Sequence, residues 1–211
     1  MSAKTQSLAD QAYVRLKWLI LSQELPAGTL LNENALVEST GFGRAAIHHS
    51  LHRLAYDDLV VIRPRKGVQV RLWSERDAIQ LVEARQPVER TIVRLACERV
   101  TNSDVEQMHE RIQETPGLIE SLDREGLLRL DLWFHAAIAA ATRNEILADT
   151  ALRLHQRSTH FWALTFSGRD RYHSVYLQHL EIVRALGRRD AEAADAAILN
   201  HISNLQRPNH E

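Results

Sequence analysis

Residues 41–72 read GFGRAAIHHSLHRLAYDDLVVIRPRKGVQVRL, and the apolar period changes inside them. From Gly43 to Asp58 the apolar residues Ala46, Ile47, Leu51 and Leu54 recur at helical spacing, the stripe of a helix seated on a core. After Asp58 two short β-branched runs follow, LVVI (59–62) and VQVRL (68–72). The turn RPRKG joins them, which makes a hairpin.

Working upstream, Ala12, Val14, Leu16, Leu19, Ile20 and Leu21 predict a first helix over about 7–23. ELPAGTLL breaks the pattern with Pro26 and Gly28. NENALVEST is a short second helix with Asn32 as N-cap, ended by Gly41. The tight turn STGFG then leads into the third helix. Three helices and a hairpin are the plan of a winged helix-turn-helix, whose third helix enters the DNA major groove. Its outward face offers Arg44, His48, His49, His52 and Arg53, and the hairpin tip offers Arg63, Arg65 and Lys66 around Gly67. Lysine and arginine there supply sequence-independent attraction for phosphate, and Gly67 removes bulk where a backbone approaches a groove. Basic turns alone also fit a small domain with no such role. The order helix, short helix, basic helix and basic-tipped hairpin favours nucleic acid.

Working downstream, strand signals stop after Trp73. Ser74-x-x-Asp77 resembles a capping box, and the segment runs helically to about 100 with Pro87 expected to kink or break it. Further helices are expected near 102–114, 118–142, 144–166, 169–187 and 190–207, separated by TPG, TRN, SG and GRRD. The fold class is therefore mainly α. A winged helix-turn-helix over 1–72 and a linker over 73–76 precede an all-α bundle of about six helices over 77–207.

Composition narrows the class. The chain has 211 residues, 45% hydrophobic and 25% charged, enough for a proper core. No apolar run approaches the roughly 20 residues that span a bilayer, and the first residues lack the apolar core of a signal peptide. Cys97 is the only cysteine, which excludes an intrachain disulfide and a cysteine-based zinc cluster and fits a cytoplasmic protein. The net charge of −1 hides an asymmetry, with residues 1–72 at +3 and the rest at −4.

Four polar residues lie on faces predicted to be interior. Asp131 and His135 share theirs with Leu127, Leu128, Phe134 and Ile138. His179 lies beside Val175, Tyr176, Ile182, Val183 and Leu186, and His201 beside Ala194, Ala197, Ile198 and Leu205. From spacing alone two readings stand: hydrogen-bonded core histidines with a local Asp–His pair, or one carboxylate and three imidazoles around a divalent metal such as zinc, nickel or manganese. Burying Asp131 without a positive partner is costly, which keeps the second level with the first. Arg85, beside Leu81, Val82, Val88 and Ile92, is either paired with Glu89 or poised to grip a carboxylate. Asn144 is a helix N-cap or a pocket residue. His109, His155 and His173 are expected on surfaces or helix faces, and His210 in a polar tail.

The segment from Leu25 to Val70 closely resembles the DNA-binding domain of the GntR family of bacterial transcription regulators. It carries Pro26-x-Gly28-x-x-Leu31, Gly41-x-Gly43-Arg44, LHRL and the RKGVQV wing. The resemblance implies that Arg44 reads bases and that Gly67 approaches the minor groove. His48 departs from it, since most members have an arginine there. Asp131-x-x-x-His135, HLEIVRAL from His179 and HI from His201 resemble the FCD domain of the FadR subfamily, over roughly residues 75–207. That domain commonly binds a metal through an aspartate and three histidines, which implies Asp131, His135, His179 and His201 here. The resemblance also favours effector contact for Arg85; at Asn144 the cap is the favoured structural reading, though the family has an asparagine there too, and Arg157, His160 and Tyr172 are lesser effector-pocket candidates. Pro87 departs from the usual aliphatic residue.

The expected function is a transcription regulator acting as a homodimer on double-stranded operator DNA. A small carboxylate effector, bound in the helical domain beside the metal, modulates it. The alternative is a metal-dependent enzyme fused to a DNA reader; no further carboxylate is placed as an obvious general base, so no enzymatic activity is expected.

Overall fold

The computed structural model describes residues 7–165 and 168–204, apart from the side chains of residues 163–165. The expected helix ends at 166 and 207, Leu205 and His210 lie outside the described residues. The chain forms two compact units that divide between Trp73 and Ser74.

The first unit contains α1 (Leu8–Leu21), β1 (Leu30–Leu31), α2 (Glu33–Thr40), α3 (Arg44–Tyr56), β2 (Val60–Arg63) and β3 (Gly67–Val70). Each helix end has a local cause. Ser7 caps α1 through Asp10 N, and the Asn32 side chain accepts from Asn34 N and Ala35 N to start α2. Gly41, in the left-handed region at φ 76°, stops α2 three residues before α3 begins. Ile47, Leu51 and Leu54 of α3 are buried with Leu16, Ile20 and Leu36. β2 and β3 pair antiparallel from Val60–Val70 to Arg63–Gly67. The hairpin expected from sequence gains a third strand, β1, which pairs with β3 through Leu30–Gln69 and Leu31–Val68. Two residues are too few to show strand alternation, so β1 was invisible as a pattern.

The second unit contains α4 (Glu75–Arg99), α5 (Asn102–Ile112), α6 (Thr115–Glu120), α7 (Arg124–Ala141), α8 (Glu145–Thr165), α9 (Arg169–Gly187) and α10 (Ala191–Ser203). Its long helix α4 packs against α7, α8, α9 and α10. The core holds Ile92, Val93, Phe134, Ile138, Ile182, Val183, Ile198 and Ile202.

Three expectations need correction. The helix expected over 118–142 is two helices. Leu122 takes φ 57°, and Asp123 caps α7 by accepting from Gly126 N at 2.8 Å. Gly126 fits there because a Cβ would lie 2.5 Å from Asp123 Oδ2 and 2.7 Å from Leu118 Cδ2. TPG is no break, since Thr115 and Pro116 sit in the first turn of α6, where a missing N–H costs nothing. Pro87 does not end α4, which runs through it. Pro87 and Glu83, whose carbonyl loses its donor, are both exposed.

Candidate functional site

On α3, Arg44, His48, His49 and His52 are exposed along one side, opposite the buried Ile47, Ser50, Leu51 and Leu54. α2 steadies two of them: Arg44 donates to Asn34 Oδ1 at 2.8 Å, and His48 Nδ1 lies 3.2 Å from Glu33 Oε1. The His48 and His52 rings meet edge to face at 4.7 Å. Arg53 turns the other way, toward α1, donating to Asp10 at 2.7 Å and stacking 3.9 Å over the Tyr13 ring. It is thus already engaged in binding α3 to α1. At the hairpin tip Arg63, Arg65, Lys66 and Gly67 are exposed. Arg65 and Gly67 both take positive φ, 62° and 90°. Nothing lies within 4 Å of a Cβ built on Gly67, so its conformation, not crowding within the chain, favours glycine.

In the second unit α7, α9 and α10 bring Asp131, His135, His179 and His201 together. One potential ligand atom from each lies within 4.8 Å of the others. His179 Nε2 is 3.5 Å from Asp131 Oδ1, and His135 Nε2 is 3.1 Å from His201 Nε2. Phe134, fully buried, packs its ring 4.3 Å from that of His179.

The surroundings assign the hydrogens. Glu89 Oε2 lies 3.2 Å from His135 Nδ1 and can only accept. Gln178 Oε1 lies 3.0 Å from His201 Nδ1 and also accepts. Both rings therefore carry hydrogen on Nδ1 and turn their Nε2 atoms toward the cluster. Asp131 Oδ1 and His179 Nε2 are buried without a hydrogen-bond partner. An unsatisfied buried polar atom costs about 1–3 kcal/mol, and this cluster brings two of them together among four potential ligand atoms. A cation with borderline affinity for nitrogen and oxygen fits that donor set.

Charge states agree with this fit. Burial drives His179 down to about 3 and His155 to about 4, and drives His201 well below its ordinary range, so all three rings are neutral at pH 7. Burial acts to raise Asp131, but the adjacent imidazoles, His155 first, outweigh it and keep the carboxylate ionised. Glu89 is likewise raised by burial and lowered further by Arg85 and His135.

His155, expected on a helix face or surface, is buried, and its Nε2 lies 2.8 Å from Asp131 Oδ2. Its inward stripe is Ala151, Ser158, Thr159 and Trp162, all buried. Small polar residues on that stripe disguised an interior face. Glu89, His135 and His155 also converge, but Arg85 touches both Glu89 and His155, so a cation there would face a guanidinium.

A cavity of about 530 Å³, mouth included, opens beside the cluster. Asp131 and His179 line it together with Leu127, Trp162, Tyr172 and Tyr176, and Thr115 and Arg124 add polar groups. Of the expected effector residues, Tyr172 lines this cavity. Arg85 lies in the core, where it pairs with Glu89, and it is absent from the cavity's lining. Asn144 caps α8 by accepting from Leu147 N at 3.2 Å. Arg157 lines a shallow depression on another face of α8, with Ile146, Asp149, Thr150, Arg153 and Leu154. His160 is fully buried. Arg124, Trp162 and Thr115 were not anticipated, because they become neighbours only when α6, α7 and α8 assemble.

A winged helix-turn-helix followed along the chain by a helical unit with a built polar cluster is the plan of a DNA-binding transcription regulator with a second, all-α domain. The family models agree along nearly the whole chain: bacterial regulatory proteins of the gntR family match residues 8–70, and the FCD domain matches residues 80–204. The chain belongs to the GntR family and carries an FCD domain. Among its relatives, the HTH-type transcriptional regulator LutR of Bacillus subtilis (strain 168) is 26% identical, covering 89% of this chain and 94% of LutR. The HTH-type transcriptional repressor RspR of Escherichia coli (strain K12) is 24% identical, covering 95% and 88%. These relatives are regulators, not enzymes. In fold the chain is similar to E. coli McbR/YncC, with TM-score 0.83 at 20% identity and 95% of each chain covered. A putative GntR regulator from Rhodococcus sp. RHA1 aligns with TM-score 0.80 at 18% identity, covering 95% and 96%. Among the described residues no helix is long and apolar enough to cross a membrane.

Proposed function

We propose that this regulator senses a small carboxylate through a divalent metal held by Asp131, His135, His179 and His201. The observation that carries the reading is the convergence of four potential ligand atoms, two of them without a hydrogen-bond partner, beside a cavity that Asp131 and His179 line. A bound divalent ion supplies a Lewis-acid site for the effector carboxylate. Trp162, Tyr172 and Tyr176 offer apolar cover for its body, and Arg124 adds attraction for an anion. Arg85 offsets one of the two buried carboxylates, Glu89 and Asp131, and a divalent ion beside Asp131 would supply positive charge for an effector carboxylate to meet.

The DNA-reading side is Arg44, His48, His49 and His52 on α3, with Arg65, Lys66 and Gly67 at the wing. A single reader grips one half-site, so the working form is a homodimer on a two-fold operator in the cytoplasm. Repression by operator occupancy is the mode, as the name of RspR indicates for that relative. Effector and operator are coupled by linkage: the effector stabilises one arrangement of the helical domains, and operator affinity changes with it.

The test is operator binding against a panel of small carboxylic acids, before and after metal removal, alongside metal analysis of the purified chain. Bound metal and a carboxylate response that chelation abolishes are expected. Metal-free protein indifferent to every acid would sink the reading.

A further inference from the structure

Arg85 is fully buried, and its guanidinium can only donate. Its Nε donates to Glu89 Oε1 at 2.6 Å and Nη1 to Ser158 Oγ at 2.9 Å, while Nη2 lies 3.2 Å from His155 Nδ1. A donor placed against Nδ1 makes that nitrogen the acceptor. A neutral His155 then carries its hydrogen on Nε2 and donates it to Asp131 Oδ2, 2.8 Å away. That bond occupies Oδ2 and leaves Oδ1, the oxygen without a hydrogen-bond partner, as the one offered to the cluster.

The second arm runs through Glu89. Arg85 holds Oε1, and Oε2 lies 3.2 Å from His135 Nδ1. A carboxylate accepts, so His135 carries its hydrogen on Nδ1 and turns Nε2 toward His201 and Asp131. The stacked rings of His135 and His155, with centroids 3.9 Å apart, close the circuit. Both arms begin on one guanidinium, and each ends on a different member of the cluster.

We infer that Arg85 is the positioning residue of the metal cluster. Through Glu89 and His155 it fixes which atoms of His135 and Asp131 are offered to a divalent ion. It orients the ligands from the core, with no effector contact of its own. The inference rests on the proposed metal reading for what the cluster holds, while the hydrogen positions belong to the metal-free chain and are measured without it.

Two measurements on the full chain decide it. Nitrogen-15 NMR of the imidazole two-bond couplings in metal-free protein should place hydrogen on Nε2 of His155 and on Nδ1 of His135. Hydrogen on Nδ1 of His155 overturns the inference. Chelator competition with zinc, nickel and manganese should show Arg85→Met weakened about 10- to 100-fold, the usual effect of losing an orienting partner. Ser158→Ala, which removes the one Arg85 contact leading to no ligand, should match the parent. A folded Arg85→Met protein with parental metal affinity overturns the inference. Should Arg85→Met not fold, His155→Phe keeps a ring in place, drops both hydrogen bonds and carries the same expectation and the same refutation. A parent chain that takes none of the three metals overturns the metal reading, and the histidine tautomers alone then decide whether Arg85 sets the hydrogen positions.

Discussion

Histidine serves this chain in two opposite surroundings. His48, His49 and His52 stand exposed on α3, where His48 has one carboxylate nearby and the ring of His52 at its edge. His135, His155, His179 and His201 are buried, and three of them have a ring nitrogen assigned by a neighbour: Glu89, Arg85 and Gln178. An imidazole at a surface stays available to whatever docks against it. An imidazole in a core has its donor and acceptor fixed before any ligand arrives, which suits metal binding.

The comparison breaks first at the buried cluster. His179→Ala removes a ligand from a proposed four-ligand site, and metal content in the purified protein should fall from near one per chain to background. A variant that keeps its full metal content would show that the cluster is not the site. The parent's metal should also stabilise it: at a free ion concentration 100 times the dissociation constant, the gain is about 2.7 kcal/mol. Thermal unfolding with and without chelator reads this directly.

Acid is the next strain on the same contrast. In metal-free protein His155 and His179 sit at about 4 and about 3, below the ordinary histidine value near 6.5. The unfolded chain therefore binds protons that the folded one refuses, and folding stability should fall as pH drops from about 6.5 to 4. Denaturant titrations of metal-free protein across that range would show it; a flat profile would contradict the burial of these rings as neutral groups.

On the exposed side the effects are smaller and appear in DNA binding. Arg44→Ala should cost about 1–3 kcal/mol of operator affinity if Arg44 reads a base, measured by a mobility-shift titration at fixed salt. Smallest in stability, and most telling for specificity, is His48→Arg. An exposed exchange should leave the unfolding midpoint within about 0.5 kcal/mol. The arginine fork should nevertheless shift base preference in a binding-site selection toward guanine. An unchanged selection profile would remove His48 from the reading face.

The two regions also differed in how much of them could be read along the chain. Every helix of the DNA-reading unit carries its own signals: Asn32 and Gly41 bracket α2, and Ile47, Leu51 and Leu54 mark the buried side of α3. The metal-type cluster was half legible. Asp131, His135, His179 and His201 each sit beside apolar residues in their own helices, but only the family resemblance linked them. His155 was misplaced because Ser158 and Thr159 made a buried stripe look polar. Arg53 faced outward by periodicity, yet Asp10 and Tyr13 of α1 hold it.

By itself, then, the sequence determined the two-part division and most of the element order, β1 and the break between α6 and α7 excepted, because periodicity, caps and turn residues act over a few positions. The tertiary structure alone decided that Arg85 also reaches Ser158 and His155, and that Tyr172 and Arg124 share a cavity with Asp131. Those facts depend on where α4, α6, α7, α8 and α9 come to lie against one another. Such distances are set by packing between residues tens of positions apart, which local pattern does not encode.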